Sequence, residues 1–418
     1  WDHQPKTRMQ GIDSSDGPAL PPELIGLIVD DLHASEDFDS LKRCALALRN
    51  MRTQIQQCLF SRIRLRLPVE YAAAREDPSA LTAPQRLLEV LRATPRLADY
   101  VRDLVLEFML VRGPHYVTNT DDSILHILPL LRNVESLEIR SEGAAMLRPP
   151  DSIIMALVLP SLTSLRLSSI VFPLATIEKM PGLRHLACYN ALSDDELDLL
   201  ASPRVYQHPR VEHLELASSR NTALLYPSFL IQTPSSFHHL VRLDVSRMHS
   251  HRPEINRILQ ICKGTLCHLD MICPGTPTNG DRQDLSMLCS LRRLGIHRMY
   301  LFLGSFEWLR DTLATVSTSH VQLELAFLEE DDAVVNDSVD IYESVSIQSQ
   351  RFSLLDEAIS GVEGRFNAVH IDIQVEIDPN ITETGCTMYN CAAATRLVHE
   401  LLPRTKRCSR LSVAIDGL

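Results

Sequence analysis

A short apolar phrase returns along most of the chain and limits the folds that it can adopt. The phrase begins with an apolar residue, which is followed by two variable residues, a leucine, one variable residue and a second apolar residue. The clearest copies are Val101-Leu104-Leu106, Val134-Leu137-Ile139, Leu162-Leu165-Leu167, Leu183-Leu186-Cys188, Val211-Leu214-Leu216, Leu240-Leu243-Val245, Leu266-Leu269-Met271 and Leu291-Leu294-Ile296. From Leu137 to Leu323 the middle leucines are 28, 21, 28, 29, 26, 25 and 29 residues apart. Such a period indicates stacked structural repeats.

Each phrase predicts a short strand with one face inward, because its last two apolar residues alternate with variable ones. Helix-like stretches with apolar residues three and four apart lie between the phrases, at 254–262, 306–316, 352–362 and 392–402. One strand and one helix cannot bury their apolar faces alone, whereas stacked neighbours can. The sequence therefore predicts an α/β fold over residues 63–418. This fold is an irregular leucine-rich-repeat solenoid of about ten strands, with parallel strands on the concave side and helices on the convex side.

Composition and missing motifs narrow the classes of function. A doubly wound nucleotide-binding fold predicts a glycine-rich phosphate loop after an early strand, and none occurs. The net charge of −12 disfavours nucleic acid or an anionic membrane as a partner. No apolar stretch is long enough to span a membrane. The ten cysteines are too few for a disulfide scaffold, which favours a cytoplasmic or nuclear setting.

One interval between repeats is longer than the rest. Leu323 and Val369 are 46 residues apart, and the segment between them carries the acidic run 329–332. We expect an exposed acidic insertion near residues 327–347, either a solvated loop or a docking element for a basic partner.

A block of different character precedes the repeats. Proline near the first turn and apolar residues at helical spacing predict a helix over about 20–32. Two further helices are expected at about 38–48 and 51–61, so that residues 18–62 form a small helical module. Residues 1–17 are polar and predict a disordered tail without a signal peptide.

Three runs within this block resemble the F-box, and the module followed by repeats is similar to F-box proteins that are abundant in basidiomycete fungi. The runs are Leu20-Pro21-Pro22-Glu23-Leu24-Ile25, Leu41-Lys42-Arg43-Cys44-Ala45-Leu46-Ala47-Leu48-Arg49 and Leu59-Phe60-Ser61-Arg62-Ile63-Arg64-Leu65. The stretch 46–51 lacks the tryptophan that the family carries there.

The resemblance implies the substrate-recognition subunit of an SCF-type cullin–RING ubiquitin ligase, with a Skp-type adaptor, its cullin complex and an unidentified protein substrate as partners. The residues expected to bind the adaptor are Leu20, Pro21, Leu24, Ile28 and Leu32. The alternative is a non-catalytic leucine-rich-repeat scaffold in which a degenerate F-box caps the open end of the solenoid.

The sequence offers a binding surface rather than a catalytic centre. No hydrolase, metalloprotease or kinase motif occurs, so we predict no enzyme activity, metal or cofactor. If the leucines of each phrase point inward, a mainly acidic row and a row rich in Arg and His face the concave side. The candidate substrate-binding residues are Glu215, Asp244, Asp270, His213, Arg242 and His268. A recognition strip for a basic or hydrogen-bonding peptide and an internally neutralised sheet are both compatible with this pattern.

Overall fold

The computed structural model describes residues 22–35, 37–47, 51–69, 81–110, 122–142, 146–191, 209–218, 234–248, 253–273, 283–300, 303–329, 349–361, 365–375 and 391–417. Within these residues twelve parallel strands form one sheet, and each strand pairs with the next one in the chain. They are β1 Arg62–Val69, β2 Asp103–Leu110, β3 Ser136–Glu142, β4 Ser164–Ser168, β5 His185–Tyr189, β6 His213–Ser218, β7 Arg242–Met248, β8 His268–Ile272, β9 Arg293–Tyr300, β10 Val321–Glu329, β11 Phe366–Val375 and β12 Arg410–Gly417. This order is that of a leucine-rich-repeat-like solenoid, and it confirms the predicted α/β class.

The middle leucines of the repeated phrase stack directly on one another through the sheet. Leu186 pairs with Leu214, which pairs with Leu243, and all three are fully buried. Apolar residues from the helices and turns join the same continuous core on this side of the sheet. The other side, predicted to be concave, carries the variable residues between the leucines. We call it the open face.

The helices confirm the predicted convex elements to within three residues. Those expected at 254–262, 306–316, 352–362 and 392–402 are Pro253–Ile261, Leu303–Ala314, Ser349–Ser360 and Cys391–Leu401. The other helical elements after β1 are Ala83–Ala93, Pro95–Tyr100, Ser123–Ile127, Leu128–Leu130, Asp151–Ala156, Leu174–Ile177, Pro234–Phe237 and Pro403–Cys408. None of the helices described combines the length and the hydropathy that a membrane crossing requires.

Two predicted boundaries differ from the structure. The described residues contribute twelve strands rather than about ten, although β1 and β12 lie within the predicted range 63–418 apart from Arg62. β10 continues to Glu329, since Phe327 is buried and pairs with Ile373 of β11. The first residues of the expected acidic insertion therefore belong to this strand, and 330–347 lie outside the described residues, as does the expected tail 1–17.

Three helices precede the sheet: α1 Pro22–Ala34, α2 Phe38–Ala47 and α3 Arg52–Ser61. They enclose a small core of their own, formed by Ile25, Val29, Leu41 and Ile55.

The last of these helices joins the module to the solenoid. α3 ends where β1 begins, so no linker separates the two. Leu59 packs against the module core, whereas the neighbouring Phe60 packs against the solenoid core. The backbone N–H of Arg102 donates to the carbonyl of Ser61 at 2.8 Å. One face of α3 therefore packs on the solenoid core at its first repeat.

Candidate functional site

The two polar rows expected on the open face lie in register across eight strands. From β3 to β10 the first row is Glu138, Arg166, Ala187, Glu215, Asp244, Asp270, Gly295 and Glu324. The row beside it is Ser136, Ser164, His185, His213, Arg242, His268, Arg293 and Gln322. The predicted alignment is therefore confirmed, because the leucine phrase fixes the register of each strand. Whether the rows bind a ligand stays a prediction.

Glu215 is held by two side chains of the preceding strand. Its carboxylate accepts hydrogen bonds from the Tyr189 hydroxyl and from His185 Nε2, the latter at 3.3 Å. The hydrogen bond from His185 lowers the pKa of Glu215 to about 2 against the opposing effect of burial. Burial, together with the neighbouring carboxylate, raises the pKa of Tyr189 to about 12. The Arg166 guanidinium stands 5.5 Å from the centre of the Tyr189 ring. Glu215 is therefore an anchored anion.

The hydrogen bonds of Glu215 extend one strand further. His185 Nδ1 lies 3.2 Å from the Ser164 hydroxyl, and in the neutral tautomer that carries its proton on Nε2 it accepts a hydrogen bond from that hydroxyl. Serine, histidine and glutamate are the residue types of a hydrolase triad. In such triads, however, Nε2 faces the serine and Nδ1 faces the acid, and here the carboxylate is also shared with Tyr189. We therefore assign this chain of hydrogen bonds from Ser164 to Glu215 to the alignment of neighbouring strands rather than to catalysis.

Asp270 lies deepest of the acidic residues in the row, with 4% of its side chain exposed. His297 Nε2 and Arg242 Nη2 each approach its carboxylate to 3.4 Å. Burial acts to raise the pKa of Asp270, but the hydrogen bond from His297 and the charges of Arg293 and Arg242 leave it lowered. A Cβ at Gly295 would collide with Asp270 Oδ1 and lie 2.8 Å from His297 Nε2. The absence of a side chain at Gly295 is therefore what lets Asp270 and His297 meet.

Among the remaining candidates on the open face, Asp244 is bonded within its own strand, and His213 and His268 have lowered pKa values. Asp244 accepts hydrogen bonds from the backbone N–H and the hydroxyl of Ser246, at 3.0 Å and 2.7 Å. Burial lowers the pKa of both His213 and His268, and nearby Arg242 adds to the effect. Both imidazoles are therefore mainly neutral near pH 7. The acidic row exists as expected, but its carboxylates accept hydrogen bonds from neighbouring side chains or from their own strand.

A carboxylate that the sequence reasoning missed lies on the first strands. Glu107 of β2 has no exposed surface, because three guanidinium groups cover its carboxylate. Arg64 Nε donates to it at 2.6 Å and Arg66 Nε at 3.2 Å, and Arg140 completes the cage. The hydrogen bond from Arg64 is the main cause that lowers the pKa of Glu107 to about 2. The sequence carried a signal for this residue. The alternation of apolar and variable residues continues beyond Leu106, and it places Glu107 on the open face.

The residues expected to bind an adaptor fall into three groups. Leu20 and Pro21 lie outside the described residues. Leu24 and Ile28 are 46% and 45% exposed on α1. Leu32 is partly buried and packs against the module core, and its role in adaptor binding stays a prediction.

Two further large apolar side chains of the module are exposed although the sequence reasoning did not assign them to the site. Leu27 of α1 is 65% exposed and Leu46 of α2 is 82% exposed. Helical spacing already placed Leu27 beside Leu24 and Ile28, whereas sequence alone does not show which side of α2 packs inward.

Two cysteines near β8 are core residues. Cys262 and Cys273 are buried, and Cys262 Sγ donates to the Ile258 carbonyl at 3.1 Å. Burial raises the pKa of the Cys262 thiol to about 12. Among the described residues no group of three or more His, Cys, Asp or Glu side chains could hold a metal ion.

Comparisons with known proteins give one distant structural likeness. No family model matches the sequence, and neither does any curated protein. One similar solved structure is an internalin from Listeria monocytogenes, 11% identical, with a TM-score of 0.29. The match covers 58% of this chain and 65% of the internalin chain, thus less than two thirds of that protein. The strand order and the stacked leucines therefore define the fold class by themselves, as a leucine-rich-repeat-like solenoid.

Proposed function

We propose that the chain is the substrate-recognition subunit of an SCF-type cullin–RING ubiquitin ligase. In this proposal the module α1–α3 binds a Skp-type adaptor, and the solenoid binds the target protein. The resemblance of residues 20–65 to the F-box suggests the role. The observation that carries it is an exposed apolar stripe on α1.

The stripe consists of Leu24, Leu27 and Ile28, whose side chains are three and four positions apart and therefore share one face of the helix. The opposite face supplies Ile25 and Val29 to the module core. A module that only capped the solenoid would need the core-facing side of α1 but no exposed apolar stripe. Contiguous exposed apolar side chains mark protein-interaction surfaces, and covering these three would contribute on the order of a few kcal/mol.

The open face is the proposed surface for the target protein. Glu215, Asp244 and Asp270, with His213, Arg242 and His268 beside them, can exchange hydrogen bonds with a basic or hydrogen-bonding segment. Because the three carboxylates and Arg242 already have partners within the sheet, a target must replace these bonds. Such an exchange adds little affinity but penalises a target with mismatched groups. The ligase would then act by holding the target close to its catalytic subunits.

A scaffold with a capping module is the second candidate, and one observation favours it. α3 lies against the 3-10 helix Pro95–Tyr100 and leads directly into β1, so it covers the apolar core at the first repeat. This contact involves α3, whereas the exposed stripe lies on α1. The two functions therefore use different faces and can be tested separately.

Co-purification with a Skp-type adaptor tests the proposal. The full chain and the adaptor are co-expressed, and the chain is tested as wild type and as the double variant Leu24→Asp/Leu27→Asp. Met155→Asp is the matched control, because Met155 is 55% exposed on the solenoid helix Asp151–Ala156. We expect the wild type and the control to retain the adaptor and the double variant to lose it.

Two other outcomes would contradict the proposal. Retention of the adaptor by the double variant would show that the stripe on α1 is not the docking face. If the wild type itself fails to retain the adaptor, the capping scaffold is the better account.

A further inference from the structure

A groove of about 760 Å³ crosses the edge of the sheet where the strands begin. Its lining residues directly precede successive strands: Arg184 before β5, Glu212 before β6, Cys267 before β8 and Arg292 before β9. The backbone ladder continues through these positions, with Arg292 N–H donating to the Cys267 carbonyl at 2.7 Å. Hydrogen-bonded backbone therefore forms the base of the groove, which runs across the repeats. It is separate from the open face and from α1.

The groove is locally basic although the chain as a whole is acidic. Arg184 pairs with Glu212, which is the only carboxylate among the lining residues. Arg210 and Arg292 are exposed, and neither guanidinium forms an ion pair or hydrogen bond with another described residue. The hydroxyl of Thr318, also in the lining, is buried without a partner in the described part of the chain. The groove therefore offers hydrogen-bond donors to an anion.

We propose that this groove binds an extended acidic peptide of a partner protein, running across the strand-entry edge. Arg210 precedes β6 and Arg292 precedes β9, so three strand spacings separate them. At about 4.8 Å per strand this distance is about 14 Å, which an extended peptide covers in about four residues. The fitting ligand therefore carries two carboxylates four positions apart, each meeting one guanidinium. The proposal does not depend on the proposed ligase function, because it uses neither α1 nor the open face.

Fluorescence anisotropy with labelled peptides tests the inference on the full chain. The probe is an extended nine-residue peptide of Gly, Ser and Thr with two glutamates four positions apart. A second peptide has glutamine at both positions, and a third has the two glutamates adjacent. The chain is tested as wild type and as Arg210→Gln/Arg292→Gln. The control Arg86→Gln/Arg257→Gln removes the same charge from exposed helix positions elsewhere.

We expect the spaced glutamate peptide to bind the wild type and the control equally. The Arg210→Gln/Arg292→Gln variant should bind it at least tenfold more weakly, and the glutamine peptide should show a similar loss. No binding to the wild type, or an equal loss in the control variant, would overturn the proposal. If the peptide with adjacent glutamates bound as tightly as the spaced one, the proposed placement across three strand spacings would be overturned. Unchanged thermal unfolding of both variants ensures that any loss reports on the groove.

Discussion

The module and the open face present opposite kinds of surface. α1 exposes Leu24, Leu27 and Ile28, whereas Glu107, Glu215 and Asp270 are exposed little and are engaged by neighbours within the sheet. Covering the apolar stripe breaks no hydrogen bond or ion pair of these three side chains, because they are apolar. Binding to the charged face requires an exchange of hydrogen bonds. The first surface is therefore suited to stable docking and the second to discrimination between ligands.

The same two regions differ in how their cores are built. Leu214 lies between Leu186 and Leu243 in a core that continues through the whole sheet, whereas Ile55 belongs to the small core of the module. Leu214→Ala should lower the free energy of unfolding of the solenoid by about 2–5 kcal/mol, because its stacked neighbours cannot close the cavity. Urea denaturation followed by circular dichroism measures this effect, which is the largest that we expect.

Ile55→Ala sharpens the comparison. It should loosen the module while the main urea transition of the solenoid keeps its midpoint, because the two cores are separate clusters. Limited proteolysis should then cut within residues 22–61 and spare the sheet. If Ile55→Ala and Leu214→Ala shift a single transition by the same amount, the module and the solenoid form one cooperative unit and the distinction fails.

The arginine cage on the first strands should make stability depend on pH. The folded state lowers the pKa of Glu107 from 4.5 to about 2, so its contribution is present above pH 4.5 and is lost as the pH falls towards 2. The full shift corresponds to about 3 kcal/mol. Arg64 and Arg66 are 48% and 58% exposed, so water screens the pairs and we expect about 1–2 kcal/mol.

Glu107→Gln isolates this contribution. The variant should be less stable than the wild type at neutral pH, and the difference in urea midpoint should shrink as both are acidified. A difference that stays constant from about pH 7 to about pH 3 would show that the carboxylate charge is not its source.

Much of the fold followed from the sequence because the leucine phrase fixes strand, face and register together. That is why the two rows of the open face align as predicted. The side-chain partners did not follow, since alternation places His185 and Glu215 on one face without showing that they bond. Glu107 was not predicted because it lies just beyond the apolar phrase, which ends at Leu106. Helical spacing alone also does not reveal that Leu32 packs against the module core.

Gly295→Ala should have the smallest effect. The new Cβ must displace Asp270 or His297, so we expect a loss of about 1 kcal/mol. Gly264→Ala is the control, because a Cβ there meets nothing within 4 Å. Thermal unfolding compares the two, and equal midpoints would show that the Asp270–His297 contact does not stabilise the sheet.

Amide hydrogen exchange of the full chain, with and without a Skp-type adaptor, tests the central contrast most directly. The account predicts that the adaptor slows exchange in α1, at residues 22–34, and leaves the strands of the open face unchanged. Slower exchange in β5 to β8 with no change in α1 would contradict it, because the charged face would then be the docking surface.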